Sequence, residues 1–93
     1  MKAVLLRRHR EEFEDGTIID IVLWRVPKPV PPCGHRYKYR LYYGHAGTRI
    51  VGYDNERGKG DHRHIGGREE SYRFESPERL IDDFLADVER IRK

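Results

Sequence analysis

Residues 36–42, Arg36-Tyr37-Lys38-Tyr39-Arg40-Leu41-Tyr42, alternate basic side chains with aromatic or aliphatic ones. A period of two is typical of a β-strand that has one buried face and one polar face. A strand of this kind belongs to a sheet with its core on one side. We therefore predict a half-buried strand. Its inward residues are Tyr37, Tyr39, Leu41 and Tyr43, and its outward residues are Arg36, Lys38 and Arg40.

Similar patterns on both sides of this strand predict further strands. Asp15-Gly16 lies between two apolar runs and is a strong hairpin signal, and the glycines of residues 44–47 mark a second turn. The proline-rich residues 27–34 interrupt the sheet as a stiff crossing loop, because proline cannot donate a ladder hydrogen bond. The predicted strands are residues 2–13, 17–26, 36–43, 49–53 and, in a short form, 68–74. Residues 17–26 are apolar on both faces, which predicts a central strand.

The C-terminal residues carry the signals of a helix. Ser76 suits the N-cap and Pro77 the first helical position. Apolar residues then recur at spacings of three and four, which predicts one buried stripe of Leu80, Ile81, Phe84, Leu85, Val88 and Ile91. The predicted fold class is α+β, an antiparallel sheet of four to five strands with a C-terminal amphipathic helix packed on one face. Residues 1–93 are expected to form a single small domain.

Charge is distributed unevenly along the 93 residues, whose net charge is +3. Residues 25–68 hold ten Lys or Arg and three acidic residues, a net of +7 with His neutral. Tyrosines lie between these bases, which is the composition of a nucleic-acid surface but also of a solvated sheet face. The single cysteine, Cys33, excludes an intrachain disulfide and fits a reducing cytoplasm. We expect no signal peptide and no membrane span, because the apolar runs are too short.

The stretch from Gly52 to His64 has no apolar period, and we interpret it as a loop that holds reactive side chains near a polar ligand. If its backbone is extended, His62 and His64 point to one face and Arg63 to the other. Two imidazoles on one face can act as an acid and base pair near neutral pH. Asp54 or Asp61 could orient a histidine, and nearby cations could hold a phosphate.

Other interpretations of the same residues stay open. His62 and His64 with Asp54, Asp61 or His35 could bind Zn²⁺, although nothing in the sequence fixes a third and fourth ligand. The two histidines could equally be polar residues of a hairpin. Glu69 and Glu70 are alternative bases or ordinary charges on an edge strand. Cys33 has no motif around it and is treated as incidental.

Several segments together resemble the TumE family of toxin components from prokaryotic toxin–antitoxin systems. One departure is Ser71, where a proline is expected before the tyrosine. The resemblance covers nearly the whole chain and is most specific at residues 53–64. Its segments are WRVP (24–27), HRYKYRL (35–41), YDNERGKGDHRH (53–64), GREE (67–70), YRF (72–74) and FLADVER (84–90). It implies a small cytosolic protein that inhibits growth when unpaired, with a cognate antitoxin that is typically a helix-turn-helix protein.

Our interpretation is a toxin that acts on RNA as a metal-independent ribonuclease. A non-catalytic module that binds nucleic acid or a partner and a metal-dependent His-x-His hydrolase are the alternatives. No cofactor and no membrane are expected, the partners are the antitoxin and RNA, and a homodimer is left open. The catalytic candidates are His62, His64, Asp54 and Asp61. The candidates for binding substrate are Arg36, Lys38, Arg40, Arg57, Lys59 and Arg63, and the metal ligands, if there are any, are His62 and His64.

Overall fold

The computed structural model describes residues 2–93 as one antiparallel sheet and one helix, which confirms the α+β class. Each strand pairs with its neighbours in sequence, so the sheet is a meander in the order β1-β2-β3-β4-β5-β6. The elements are β1 (Val4–Glu12), β2 (Thr17–Arg25), β3 (Tyr37–His45), β4 (Thr48–Glu56), β5 (Gly60–Ile65), β6 (Arg68–Ser71) and α1 (Pro77–Arg92). The sheet therefore has six strands, and the predicted four to five is wrong.

The strand that the sequence did not reveal is β5, which lies inside the stretch interpreted as a loop. β4 continues to Glu56, the chain turns through residues 57–59, and β5 returns alongside it. Gly58 and Gly60 have φ angles of +87° and +80°, a region that side chains other than glycine rarely adopt. No apolar alternation marks β5, because both of its faces carry polar side chains.

The core lies on one face of the sheet, beneath the helix. The inward side of β3 agrees with the prediction, since Tyr39, Leu41 and Tyr43 are each at most 2% exposed. On β2 one face is buried and the other is half-buried. The core residues are Ile19, Ile21, Leu23, Tyr39, Leu41, Tyr43, Val51, Tyr53, Leu80, Ile81, Phe84 and Val88.

The helix begins where its capping signals predicted. The Ser76 side chain accepts a hydrogen bond from the Arg79 backbone N–H at 3.0 Å, and Pro77 opens the first turn. Four residues of the predicted stripe are buried, whereas Leu85 and Ile91 are 41% and 40% exposed. The expected burial of these two is wrong: α1 packs most closely on β3 and β4, and both side chains stay open to solvent. In residues 2–93 no helix has the length and apolarity to cross a membrane.

Polar contacts fix the helix on this side, which we call the helix-covered face. The Tyr53 hydroxyl donates a hydrogen bond to Asp87 of α1, and Arg63 donates to the same hydroxyl at 3.3 Å. The Tyr72 hydroxyl donates to Asp83 at 2.7 Å. The opposite side of the sheet, which we call the open face, carries no helix. Side chains there come together through the strand register alone.

Candidate functional site

The register of β2 to β5 lines up polar side chains on the open face. Residues directly opposite each other on antiparallel strands share a face and lie close together. Arg40 on β3 is opposite Asp54 on β4, which is opposite His62 on β5. In the adjacent row Gly52 is opposite His64. On β6, Glu69 is opposite His64, and its Oε2 lies 3.5 Å from His64 Nε2. The sheet therefore brings both histidines and two carboxylates together.

His62 contacts an acceptor at each ring nitrogen. Its Nδ1 lies 3.1 Å from the Gly60 carbonyl oxygen, and its Nε2 lies 2.6 Å from Asp54 Oδ1. The second contact is close but is not aligned as a hydrogen bond, since Asp54 Oδ1 is buried without a hydrogen-bond partner in the described chain. The His62 side chain is 7% exposed and that of Asp54 is 18% exposed. The protonated imidazolium satisfies both contacts, because each ring nitrogen then carries a proton.

His64 lies against His62 but has a different environment. The two ring centroids are 5.1 Å apart with the planes at 77°, and the His64 side chain is 13% exposed. Burial lowers the pKa of His64 below its ordinary 6.5, and the nearby Arg49 charge lowers it further. His64 is therefore neutral near pH 7. Two imidazoles side by side, one of them biased toward its neutral form, are the arrangement that acid–base catalysis uses.

Two arginines lie beside this pair. A Cβ atom at Gly52 would come within 2.5 Å of Arg49 Cδ, so the Arg49 side chain crosses the strand where glycine leaves room for it. The Arg40 guanidinium lies over the Tyr42 ring, 5.7 Å from its centroid. Within the described residues neither guanidinium has a carboxylate partner. Both arginines line a cavity of about 230 Å³, together with Gly52 and Asp54.

The whole chain was then compared with known proteins. The family model described as "Toxin TumE" matches residues 2–92. The chain belongs to the toxin TumE family. The comparison with curated proteins and the comparison with solved structures each found no match. Membership of a toxin family implies that this TumE-family chain has an antitoxin partner.

In the TumE-family chain two predicted site residues lie on the other face. Asp61 contacts His35 Nε2 at 2.8 Å and accepts a hydrogen bond from the Tyr39 hydroxyl at 2.5 Å. Arg63 contacts Glu70 at 3.2 Å and Asp87 at 3.6 Å on the helix-covered face. Side chains alternate between the two faces along a strand. Asp61 and Arg63 therefore point to the helix-covered face, and His62 and His64 point to the open face. Neither residue reaches the His62–His64 pair.

The remaining predicted cations are divided between two places. Arg36, Lys38 and Arg40 follow one another at intervals of two residues. Lys38 and Arg40 lie on the open face, where β2 pairs with both residues and β4 pairs with Arg40. The Lys38 ammonium donates to the Asn55 carbonyl oxygen at the end of β4. Arg57 and Lys59 are exposed in the turn between β4 and β5, which the Gly58 N–H ties to the Pro31 carbonyl at 2.8 Å. Lys38 and Arg40 are therefore the predicted cations nearest the histidines.

Two clusters hold three side chains that could ligate a metal ion, Asp54–His62–His64 and Cys33–His35–Asp61. The ligand atoms of each lie within 4.8 Å of one another. In the first, a neutral His62 that donates from Nδ1 to the Gly60 carbonyl would turn the Nε2 lone pair toward Asp54, where it could ligate. In the second, His35 Nδ1 accepts the Tyr37 N–H at 3.2 Å, so the proton is on the Nε2 that would have to ligate. The donor set of the first cluster fits a metal, and that of the second does not.

Sequence reasoning missed three residues of this surface. Arg49 was counted only as part of the basic segment. Tyr42 was counted only among the tyrosines between the bases, and Trp24 only in a strand and in one segment of the family resemblance. Trp24 lies opposite Lys38, and Tyr42 opposite Gly52. A glycine inside an otherwise regular strand was the available signal, because it marks a place where another group approaches closely.

Proposed function

We propose that this toxin cleaves RNA without a metal ion, at the cluster of His62, His64 and Asp54 on the open face. The observation that carries the proposal is the packing of two imidazoles against each other, one of them also against Asp54, beside two arginines that have no carboxylate partner in residues 2–93. Arginine binds phosphate oxygens in a bidentate manner, and it stabilises the charge that develops on a phosphorane. The family membership supports a toxic activity but leaves its chemistry open.

The residues divide the reaction between them. His64 takes the proton of a ribose 2′-hydroxyl, and the resulting oxygen attacks the adjacent phosphorus. Arg40 and Arg49 hold the non-bridging oxygens while the bond between phosphorus and the 5′-oxygen breaks. His62 gives its Nε2 proton to that leaving oxygen, and Asp54 holds the imidazolium in place until then. The products are a 2′,3′-cyclic phosphate and a 5′-hydroxyl.

The experiment uses purified protein, total RNA and EDTA. Wild type is expected to cleave, and His62→Ala and His64→Ala are each expected to lower the rate about 100-fold or more, since a positioned acid or base contributes that much. The matched control is His9→Ala, because His9 is 50% exposed on β1 and its side chain contacts Glu11, away from the open-face cluster. Intact RNA with the wild-type protein, both in EDTA and after divalent metals are added, would refute the nuclease proposal.

A metal-dependent hydrolase is the second candidate, and one observation favours it. Asp54 Oδ1 is buried without a hydrogen-bond partner in the described chain, and it belongs to the Asp54–His62–His64 cluster, whose ligand atoms lie within 4.8 Å of one another. Metal analysis of the purified protein separates the candidates, together with the EDTA arm of the assay. One equivalent of bound Zn²⁺ and activity lost in EDTA would support the hydrolase.

We also infer the cellular setting from the family. The antitoxin is proposed to be a small helix-turn-helix protein encoded next to this chain, and both proteins are proposed to act in the cytoplasm. Co-expression of the neighbouring gene followed by co-purification tests the pairing. A neighbouring gene product that does not bind the chain and does not relieve growth inhibition would contradict it.

A further inference from the structure

A second cavity of the open face adjoins the proposed site. It has a volume of about 290 Å³ and is lined by Trp24, Lys38, Arg40, Asp54 and Glu56. Arg40 and Asp54 also belong to the proposed catalytic cluster, so the two cavities share a wall. Adjacent residues on one face of a strand are about 7 Å apart, which is comparable with the reach from phosphate to base within a nucleotide.

Trp24 gives this cavity an aromatic wall. The indole is half-buried on β2, directly opposite Lys38 of β3. Aromatic side chains next to cations are how proteins bind single-stranded nucleic acid, because bases stack on the ring while the cations hold the backbone. A flat base is therefore the kind of group that this wall accepts.

The polar wall has a donor and an acceptor side by side. The Lys38 ammonium has one hydrogen bond, to the Asn55 carbonyl, and keeps further N–H donors. The exposed Glu56 carboxylate has no ion-pair partner among the residues described, so it is free to accept. Guanine presents the O6 acceptor next to the N1–H and N2–H donors. Adenine and cytosine present a donor where guanine has O6, and uracil has one N–H donor only.

We propose that the Trp24 cavity is a guanine-binding subsite that places one RNA base next to the His62–His64 cluster. Trp24 stacks on the base, Lys38 donates to O6, and Glu56 accepts from N1–H and N2–H. This inference rests on the proposed function, because the base selects which phosphate reaches the histidines. The resulting enzyme cuts single-stranded RNA next to guanine.

Trp24 is the only tryptophan of the chain, so its fluorescence reports the subsite directly. The probes are pentanucleotides of deoxyuridine with guanine, adenine, cytosine or uracil at the centre, which lack the attacking hydroxyl. Anisotropy of a terminal dye measures binding separately. We expect the guanine pentamer to quench Trp24 and to bind about 5- to 150-fold more tightly than the others, the range for one well-read base.

Substitutions at two positions test the walls. Trp24→Ala should weaken binding of the guanine pentamer about 5- to 150-fold, and Trp24→Phe should restore part of it. Glu56→Gln should remove the preference for guanine while other pentamers bind as before. The matched control is Glu12→Gln, an exposed acid on the opposite edge of the same face, which should keep the preference.

The outcomes separate this inference from the proposed function. Pentamers that bind by anisotropy without quenching Trp24, or without a preference that Glu56→Gln removes, overturn the subsite and leave RNA binding intact. Guanosine monophosphate that binds as tightly as the pentamer assigns the cavity to a free nucleotide and overturns its role in RNA selection. No binding of any pentamer by either readout refutes both proposals.

Discussion

Removing Arg40 and Arg49, which have no carboxylate partner in residues 2–93, should change how RNA binding depends on salt. Lys38, Arg40 and Arg49 line the two cavities of the open face. Each phosphate contact adds about −0.7 to the slope of log K against log salt for a single strand. Three contacts give a slope of about −2.1, so binding should weaken about 20-fold between 50 and 200 mM salt. With Arg40→Gln and Arg49→Gln combined, one contact remains and the loss should be only about 2.6-fold.

The assay is fluorescence anisotropy with the non-cleavable pentanucleotide across that salt range. The matched control combines Arg79→Gln and Arg90→Gln, which removes the same charge from α1 on the other side of the molecule. Its slope should stay near that of wild type, because these two arginines pair with Asp83 and Asp87. Equal slopes for wild type and the open-face variant would show that RNA does not contact this surface. Equal reductions in both variants would show that only net charge matters.

Three further outcomes follow from the same geometry. Arg49→Gln should raise the pKa of His64, because the Arg49 charge helps to lower it. The acidic limb of the pH–rate profile should therefore move to higher pH. An unmoved limb would argue that His64 is not the base. In urea denaturation, Phe84→Ala should lower the free energy of unfolding by about 3–5 kcal/mol, because Phe84 is fully buried. Leu85→Ala should change it by about 0.5 kcal/mol or less. Similar losses in both variants would contradict the placement of the helix. Asp61→Asn should lower the free energy of unfolding by about 1–3 kcal/mol, because it weakens the contacts that Asp61 makes with His35 and Tyr39. The cleavage rate of the folded protein should stay unchanged. A large loss of rate would show that Asp61 takes part in the reaction.

The sequence predicted those parts of the fold that leave a periodic trace. The alternation along β3 and the capped, amphipathic α1 each bury one side, so their apolar residues recur at fixed intervals. β5 leaves no such trace, because two of its residues on the helix-covered face, Asp61 and Arg63, pair with polar groups there, and only Ile65 is apolar. A strand whose core side is polar has the composition of a loop.

The candidate site could be predicted only in part, because it also depends on which residues of neighbouring strands lie opposite each other. The histidine pair follows from one strand and its alternation, and both rings do share a face. Asp54 and Asp61 were equal candidates for orienting a histidine, and only the register of β4 with β5 separates them. Arg49 reaches the site past an irregularity in the pairing of β3 with β4, between Tyr43 and Gly44. Such shifts depend on the folded sheet and have no pattern in the sequence.

The most direct test of metal-free cleavage by the imidazole pair uses two oligonucleotides that differ in one oxygen atom. Both are single-stranded RNA with one guanine, and in one of them the ribose at the mapped cleavage site lacks its 2′-hydroxyl. In EDTA, the all-ribose strand should be cut to a 2′,3′-cyclic phosphate and a 5′-hydroxyl, and the deoxy-substituted strand should remain whole. Cleavage of the deoxy-substituted strand at the same phosphate, or a 5′-phosphate on the product, would contradict the account.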